Sequence, residues 1–394
     1  MYNNDMYKLG VKGSDIRELF EYGKKKKQII GDDNVYDFSI GNPSVPSPKI
    51  VNDTLKELID TTPSTILHGY TSASGDNFVK EKIAEYINSK YNANVNSSLI
   101  YMTCGAAASL SITFRALLNK GDEVIVIAPY FPEYKVFVEN AFGKVVIVNS
   151  EIPSFLPNFE ELERSISEKT KAIIINSPNN PTGVVYNDKI ISKLSEILIK
   201  KEEEFKKNIY LISDEPYREL VYGDIYVPYI TNYYHNSIVC YSFSKSLSLP
   251  GERIGYILVS PKLQNASEIY KCICGAGRSM GFVCAPALFQ YIIPKCLGYT
   301  SDITIYEENR NILYNELTKY GYELVKPDGA FYIFMKSLDE DAYRFSEKAK
   351  EYNLLLVPSD SFGVKGYMRI SYCVSQKQII NSLKAFKQLI DNYK

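Results

Sequence analysis

The sequence predicts an α/β protein in which one large, mostly parallel sheet of seven strands is covered by helices on both faces and followed by a smaller α+β unit. Three observations carry that reading. From about residue 48 to 300, short β-branched runs alternate with longer amphipathic stretches, as strand-helix-strand units do. Beyond about residue 300 the rhythm changes to one long helical pattern and then short strand-like runs. At 394 residues the chain exceeds what one hydrophobic core usually supports, and no Pro/Ser/Gly-rich linker divides it, so two units sharing an interface are expected.

In chain order, residues 1–47 are too short to form a core alone and are expected to pack on the smaller unit. Their basic run, Lys24 to Lys27, lies beside Leu19, Phe20, Ile29 and Ile30 and reads as a solvated helix face or turn rather than an interaction tail. The expected strands of the large sheet are 99–103, 124–128, 145–149, 172–176, 209–213, 238–241 and 255–259. Residues 302–320 carry Ile303, Tyr306, Leu313 and Leu317 at three-to-four spacing, which predicts a long helix leaving the large domain. Strand-like runs at 322–325, 331–336, 355–357 and 367–373, with a helical stretch near 340–352, complete the smaller domain. The expected division is therefore 1–47 as an N-terminal arm and part of the small domain, 48–300 as the large domain and 301–394 as the C-terminal small domain.

Composition excludes several function classes. With 45 Lys plus Arg against 46 Asp plus Glu, the chain lacks the basic excess that draws a protein to phosphate backbones, so no nucleic-acid partner is expected. No apolar run approaches the ~20 residues that span a bilayer, and residues 1–5 show no charged-then-apolar signal pattern, so a cytoplasmic protein without a membrane partner is expected. Seven scattered cysteines suggest reduced thiols. Cys272 and Cys274 have no second pair or nearby histidine, so no metal site is expected. His68 and His235 are the only histidines, which leaves little material for mechanisms built on a histidine cluster.

The most informative stretch is Tyr241-Ser242-Phe243-Ser244-Lys245-Ser246, followed by Pro250-Gly251-Glu252-Arg253. Hydroxyls three and one residues before Lys245 could place donors on one phosphate while Arg253 grips it with a forked cation. Read alone, the same stretch could be a surface turn. Upstream, Asn179-Asn180-Pro181-Thr182-Gly183 follows the apolar run Ala172 to Ile175, at the carboxyl end of a buried strand, where open α/β sheets bind ligands. Asp214 and Tyr217 follow another apolar run three residues apart, so both can face one ligand, although a helix cap and a packing ring are the plain alternatives.

Thr103-Cys104-Gly105-Ala106-Ala107 lies between a strand and a helix; Gly105 permits close backbone approach, and the free N–H groups of Ala106 and Ala107 suit a phosphate. Arg369 interrupts the apolar strand Tyr367 to Ser371, and a guanidinium on a core strand needs an anionic partner, either a structural carboxylate or a ligand.

Taken together, Asn180 to Gly183, Asp214 with Tyr217, Ser242 with Lys245, and Arg253 eight residues on make the chain resemble the fold-type I, class I/II aminotransferases that depend on pyridoxal 5′-phosphate (PLP), in an aspartate aminotransferase-like arrangement, over nearly its whole length. The resemblance implies that Lys245 holds PLP as a Schiff base and shuttles protons, that Asp214 keeps the pyridine nitrogen protonated, and that Tyr217 and Asn180 donate to the ring oxygen. It implies that Phe131 stacks over the ring, tryptophan being absent from the chain, and that Gly105, Ala106, Ala107, Ser242, Ser244 and Arg253 bind the phosphate.

The same resemblance implies that Tyr70 reaches across a homodimer to the partner's phosphate, placing the active sites at the interface, and that Arg369, with Gly41 beside it, holds the substrate carboxylate. The substrates implied are an L-amino acid and a 2-oxo acid, with 2-oxoglutarate as the expected acceptor. Arg278, thirty-three residues past Lys245, is either a reader of the substrate side chain across the interface or an interface or surface residue. His68 is expected at an interface or beside the site. Two other readings remain: a C–S β-lyase on the same scaffold, which shares these motifs, and a non-catalytic PLP-binding regulator, for which too little chain precedes Gly41 to supply a DNA-binding module.

Overall fold

Alternation along the apolar runs decides the architecture. In the strand Glu123–Ala128, Val124, Val126 and Ala128 belong to one buried cluster while Ile125 and Ile127 belong to another. Ala172 and Ile174 divide from Ile173 and Ile175 in the same way, as do Tyr210 and Ile212 from Leu211. A strand apolar at every position therefore feeds two cores, one on each face of the sheet, which is the condition for a parallel sheet sandwiched by helices.

The computed structural model describes residues 2–11 and 13–393. Its large sheet contains β1 (Ile100–Thr103), β2 (Glu123–Ala128), β3 (Lys144–Glu151), β4 (Leu156–Pro157), β5 (Thr170–Asn176), β6 (Tyr210–Glu215), β7 (Ser237–Ser242) and β8 (Gly255–Val259), in the order β1-β8-β7-β6-β5-β2-β3-β4. All neighbours are parallel except β8 against β1 and β7, and β4 against β3. The sheet has eight strands where the sequence predicts seven. The extra one, β4, is only two residues long, too short to carry an alternation of its own.

The smaller sheet is antiparallel throughout: β9 (Leu324–Val325), β10 (Tyr332–Lys336), β11 (Val357–Pro358) and β12 (Tyr367–Ser371), in the order β9-β10-β12-β11. The run expected as one strand at 355–357 is divided between two partners. Leu354–Leu355 pairs in parallel with Tyr36–Asp37, while Val357–Pro358 joins β12. Helices Thr304–Tyr320 and Gln376–Asp391 pack on each other and contribute Leu313, Leu317, Phe386 and Leu389 to this unit's core.

The N-terminal helix Asp15–Ile30 lies against the same unit because Gly23 lets it approach: a Cβ there would sit 2.6 Å from Leu355 Cδ1. Its basic run is only half solvated. Lys24 and Lys25 are exposed, whereas Lys26 Nζ donates to the Lys350 carbonyl at 2.8 Å and Lys27 Nζ lies 3.5 Å from Asp37 Oδ2. All seven cysteines are free, and among the described residues no helix is long and apolar enough to cross a membrane.

Candidate active site

The parallel strands deliver polar groups to one edge of the sheet, where their carboxyl ends meet the smaller unit. Asn176 ends β5, Asp214 lies near the end of β6, and Lys245 sits in the short helix Phe243–Ser246 that follows β7. From the other side, β10 and β12 bring Tyr332 and Arg369, and the segment after Tyr36–Asp37 brings Gly41. These residues line a single cavity of about 250 Å³, with Ala106, Ala107 and Phe131 also in its wall.

Lys245 Nζ donates to the Gly41 carbonyl at 2.7 Å and lies 5.5 Å from the Phe331 ring centroid. Burial pushes its ammonium down to about 8; Cys373 opposes the shift, and the cations of Arg253 and Arg369 add to it. About a tenth of this amine is thus neutral, and nucleophilic, at pH 7, and about half at pH 8.

Asp214 is held by a residue that the sequence motifs do not mark. Tyr134 Oη donates to Asp214 Oδ2 at 2.5 Å, while Oδ1 is buried without any partner. Desolvation lifts the carboxyl to about 7, with the Tyr134 bond opposing and Glu215 adding. An unpaired buried oxygen costs about 1–3 kcal/mol, so this one suits a donor that arrives with a ligand, such as the protonated ring nitrogen of PLP. Asn176 fixes the local backbone, donating from Nδ2 to the Asp214 carbonyl at 2.8 Å and accepting at Oδ1 from Asn180 N at 2.7 Å.

Beside the cavity lies a cup suited to an anion. Gly105 adopts φ +84°, and a Cβ there would stand 2.8 Å from Arg253 Nη2, so both conformation and space require glycine. The helix Ala106–Leu117 starts at this point with no side chain capping its first turn, which leaves its N–H groups for a ligand. Arg253, itself at φ +53°, donates through Nη1 to the Pro250 carbonyl at 2.9 Å and to Ser244 Oγ at 3.5 Å. Ser242 Oγ accepts from Ser244 N at 3.2 Å and donates to Ser244 Oγ at 2.8 Å, so it caps the short helix that carries Lys245.

At the opposite end Arg369, only 2 % exposed, donates through Nη1 to Asn180 Oδ1 at 3.2 Å and through Nη2 to the Ser39 carbonyl. Its guanidinium carbon lies 4.8 Å from the Tyr332 ring centroid and 5.2 Å from that of Phe362, and its Nε has no partner. Burial lowers its pKa, and its contacts are neutral acceptors and aromatic rings, so no structural carboxylate satisfies it. Such a cation is suited to a carboxylate from outside. Asn180, with Oδ1 occupied by the arginine, keeps Nδ2 as a donor.

Other predicted residues lie outside this cavity. Tyr70 is 97 % exposed, His68 is exposed after a short helix, and Arg278 is exposed near the end of the helix Ala266–Ser279. Cys272 is exposed, and no group of three potential metal ligands occurs among the described residues. The residues missed from sequence are Tyr134, Tyr332 and Asn176. Tyr134 stands three residues past Phe131, and their rings meet edge-on at 5.7 Å.

Comparison with known proteins agrees with this geometry. The family model for aminotransferase class I and II matches residues 33–386. An aspartate aminotransferase of Thermotoga maritima is 31 % identical over 96 % of this chain and 97 % of the relative, and a probable aspartate aminotransferase of Methanocaldococcus jannaschii is 30 % identical over 97 % and 98 %. Among solved structures, an aminotransferase from Eubacterium rectale superposes with a TM-score of 0.98 at 54 % identity, covering 100 % of this chain and 99 % of that one. The aspartate aminotransferase of Thermus thermophilus with maleate superposes with a TM-score of 0.84 at 26 % identity, covering 96 % and 97 %. The chain belongs to the class I and II aminotransferases, enzymes whose cofactor is pyridoxal 5′-phosphate.

Proposed function

We propose that this aminotransferase moves the amino group of an L-amino acid to a 2-oxo acid, with 2-oxoglutarate as acceptor, by a ping-pong cycle in which both half-reactions use Lys245. The observation that carries the proposal is that a lysine of lowered pKa, a carboxylate oxygen without a partner and an arginine without a carboxylate share one cavity. Bound PLP supplies a protonated pyridine ring that accepts the electron pair left when the substrate Cα–H bond breaks.

The chain's own groups do the rest. Lys245 would hold the cofactor through its ε-nitrogen and, when released by the substrate amine, would carry the proton between the substrate Cα and the cofactor side. Asp214, oriented by Tyr134, would keep the ring nitrogen protonated through its free Oδ1. Tyr217 and Asn180 would donate to the ring oxygen, and Phe131 would cover the ring. The first-turn N–H groups at Gly105, Ala106 and Ala107, with Ser242, Ser244 and Arg253, would hold the phosphate. Arg369 grips the substrate α-carboxylate beside Gly41. Tyr70, which extends into solvent on its own chain, fits a reach to the partner's phosphate in a homodimer.

The test is a nitrogen-transfer assay with the PLP-loaded protein, starting from aspartate because the Thermotoga maritima relative is named an aspartate aminotransferase and the Methanocaldococcus jannaschii relative a probable one. Glutamate formed from 2-oxoglutarate is the expected result. Release of pyruvate and ammonia from a donor with a sulfur leaving group at Cβ, such as cystathionine, together with no glutamate from aspartate, would turn the reading to a C–S lyase. Arg369→Ala is expected to keep the cofactor's visible band while kcat/KM falls by roughly 10- to 100-fold for all donors alike, the loss of about 1.5–3 kcal/mol of charge-assisted hydrogen bonding. Steady-state kinetics on an acidic and a neutral donor checks it; a loss confined to one donor class would remove Arg369 from the α-carboxylate.

A further inference from the structure

We propose that Tyr332 is a positioning residue whose hydroxyl donates to Tyr217 Oη and so turns the Tyr217 proton toward the cofactor's ring oxygen. The inference rests on the role given to Tyr217 above. Both hydroxyls are buried, 2.8 Å apart, and their rings meet edge-on at 5.7 Å. Tyr332 Oη fills the space that a side chain at position 41 would need: a Cβ on Gly41 would overlap it. The same ring faces the Arg369 guanidinium at 4.8 Å, so Tyr332 joins the substrate end of the cavity to the cofactor end.

The geometry permits either oxygen to donate, and the role given to Tyr217 selects one. A phenol carries a single proton, and Tyr217 gives its own to the cofactor's ring oxygen, so in the bond between the two hydroxyls Tyr332 is the donor. A hydroxyl that accepts one bond donates a stronger one.

A donor on the ring oxygen stabilises negative charge there and loosens the hold on the proton at the Lys245 nitrogen. Weakening the donor therefore lets that proton persist to higher pH. In the PLP-loaded enzyme, Tyr332→Phe is expected to raise the pH midpoint of the visible absorption by roughly half a pH unit, less than Tyr217→Phe does. The aromatic face over Arg369 survives in phenylalanine, so KM for the amino donor should stay within about twofold. Because Tyr332 acts through Tyr217, adding Tyr332→Phe to Tyr217→Phe should move the midpoint no further. A Tyr332→Phe midpoint equal to wild type, or the same increment in both backgrounds, would overturn the inference. A wild type lacking the band overturns the assignment of Lys245 as well, whereas a normal wild type with an unresponsive Tyr332→Phe overturns this inference alone.

Discussion

Lys245→Ala is expected to lower transamination by about 10⁴-fold or more and to leave PLP held only by non-covalent contacts. The substitution removes the amine whose Nζ lies in the cavity next to the Gly41 carbonyl, and with it both the covalent anchor and the proton carrier. Binding of the cofactor persists in part, because Gly105, Arg253 and the first turn of Ala106–Leu117 are untouched. Borohydride reduction followed by peptide mass spectrometry should find PLP on Lys245 in the wild type and on no residue in the variant. A label on another lysine would show that the anchor is misplaced.

The same lysine sets a pH dependence with a defined sign. The neutral amine attacks the aldehyde, and its pKa is lowered to about 8, so covalent loading of the cofactor-free protein should rise with pH through about 8. Since the unfolded chain keeps that proton up to about 10.5, the empty wild type should also gain stability as pH rises from about 8 toward 10.5, where only the unfolded state still binds it. Lys245→Ala should abolish that gain, read as the difference in urea midpoint across the interval.

What could be read from the sequence is set by the cost of burial. Lys245, Asp214 and Arg369 stand at the ends or in the middle of runs that are otherwise apolar, and a charge placed there must have a partner or a ligand. The sequence therefore marks the cavity's charged groups before any coordinates do. Tyr134 and Tyr332 carry no such mark. In a chain with 33 tyrosines, a buried phenol is usually core, and its ring is apolar enough to satisfy the strand or helix pattern whatever its hydroxyl does. Backbone partners leave still less trace. The carbonyls of Ser39 and Gly41, which meet Arg369 and Lys245, belong to a segment whose side chains say nothing about where its oxygens point.

Ser242 is a side chain suited to the ligand that also has a local use. A serine that ends a strand and opens a helix is a natural N-cap, a use that the motif does not reveal. The division of residues 354–358 between two partners was equally hidden. Every one of those residues is buried, so no alternation tells which face or which neighbour each will take.

For Asp214→Asn we expect turnover to fall by about 10²- to 10³-fold while most cofactor binding survives. An amide has nearly the same shape as the carboxylate and can still accept the Tyr134 hydroxyl, so the strand end keeps its geometry. What it lacks is the negative charge that holds a proton on the ring nitrogen, and without that proton the ring accepts the Cα electron pair poorly. The stability of the empty protein gives an independent reading. In the cofactor-free protein the Asp214 carboxyl is raised from 3.8 to about 7, so between these values the native state binds a proton that the unfolded chain has released. Stability from this group is complete below about 3.8 and is lost as pH climbs through about 7. The empty wild type should therefore weaken across that window by more than Asp214→Asn does, as measured by urea midpoints between pH 5 and pH 7.5. Loading with PLP should flatten the wild-type slope, because the charged ring nitrogen favours the ionised carboxylate. A variant with near wild-type kcat, or an empty wild type whose midpoint follows that of Asp214→Asn throughout, would mean that another group protonates the ring and that Oδ1 is not its partner.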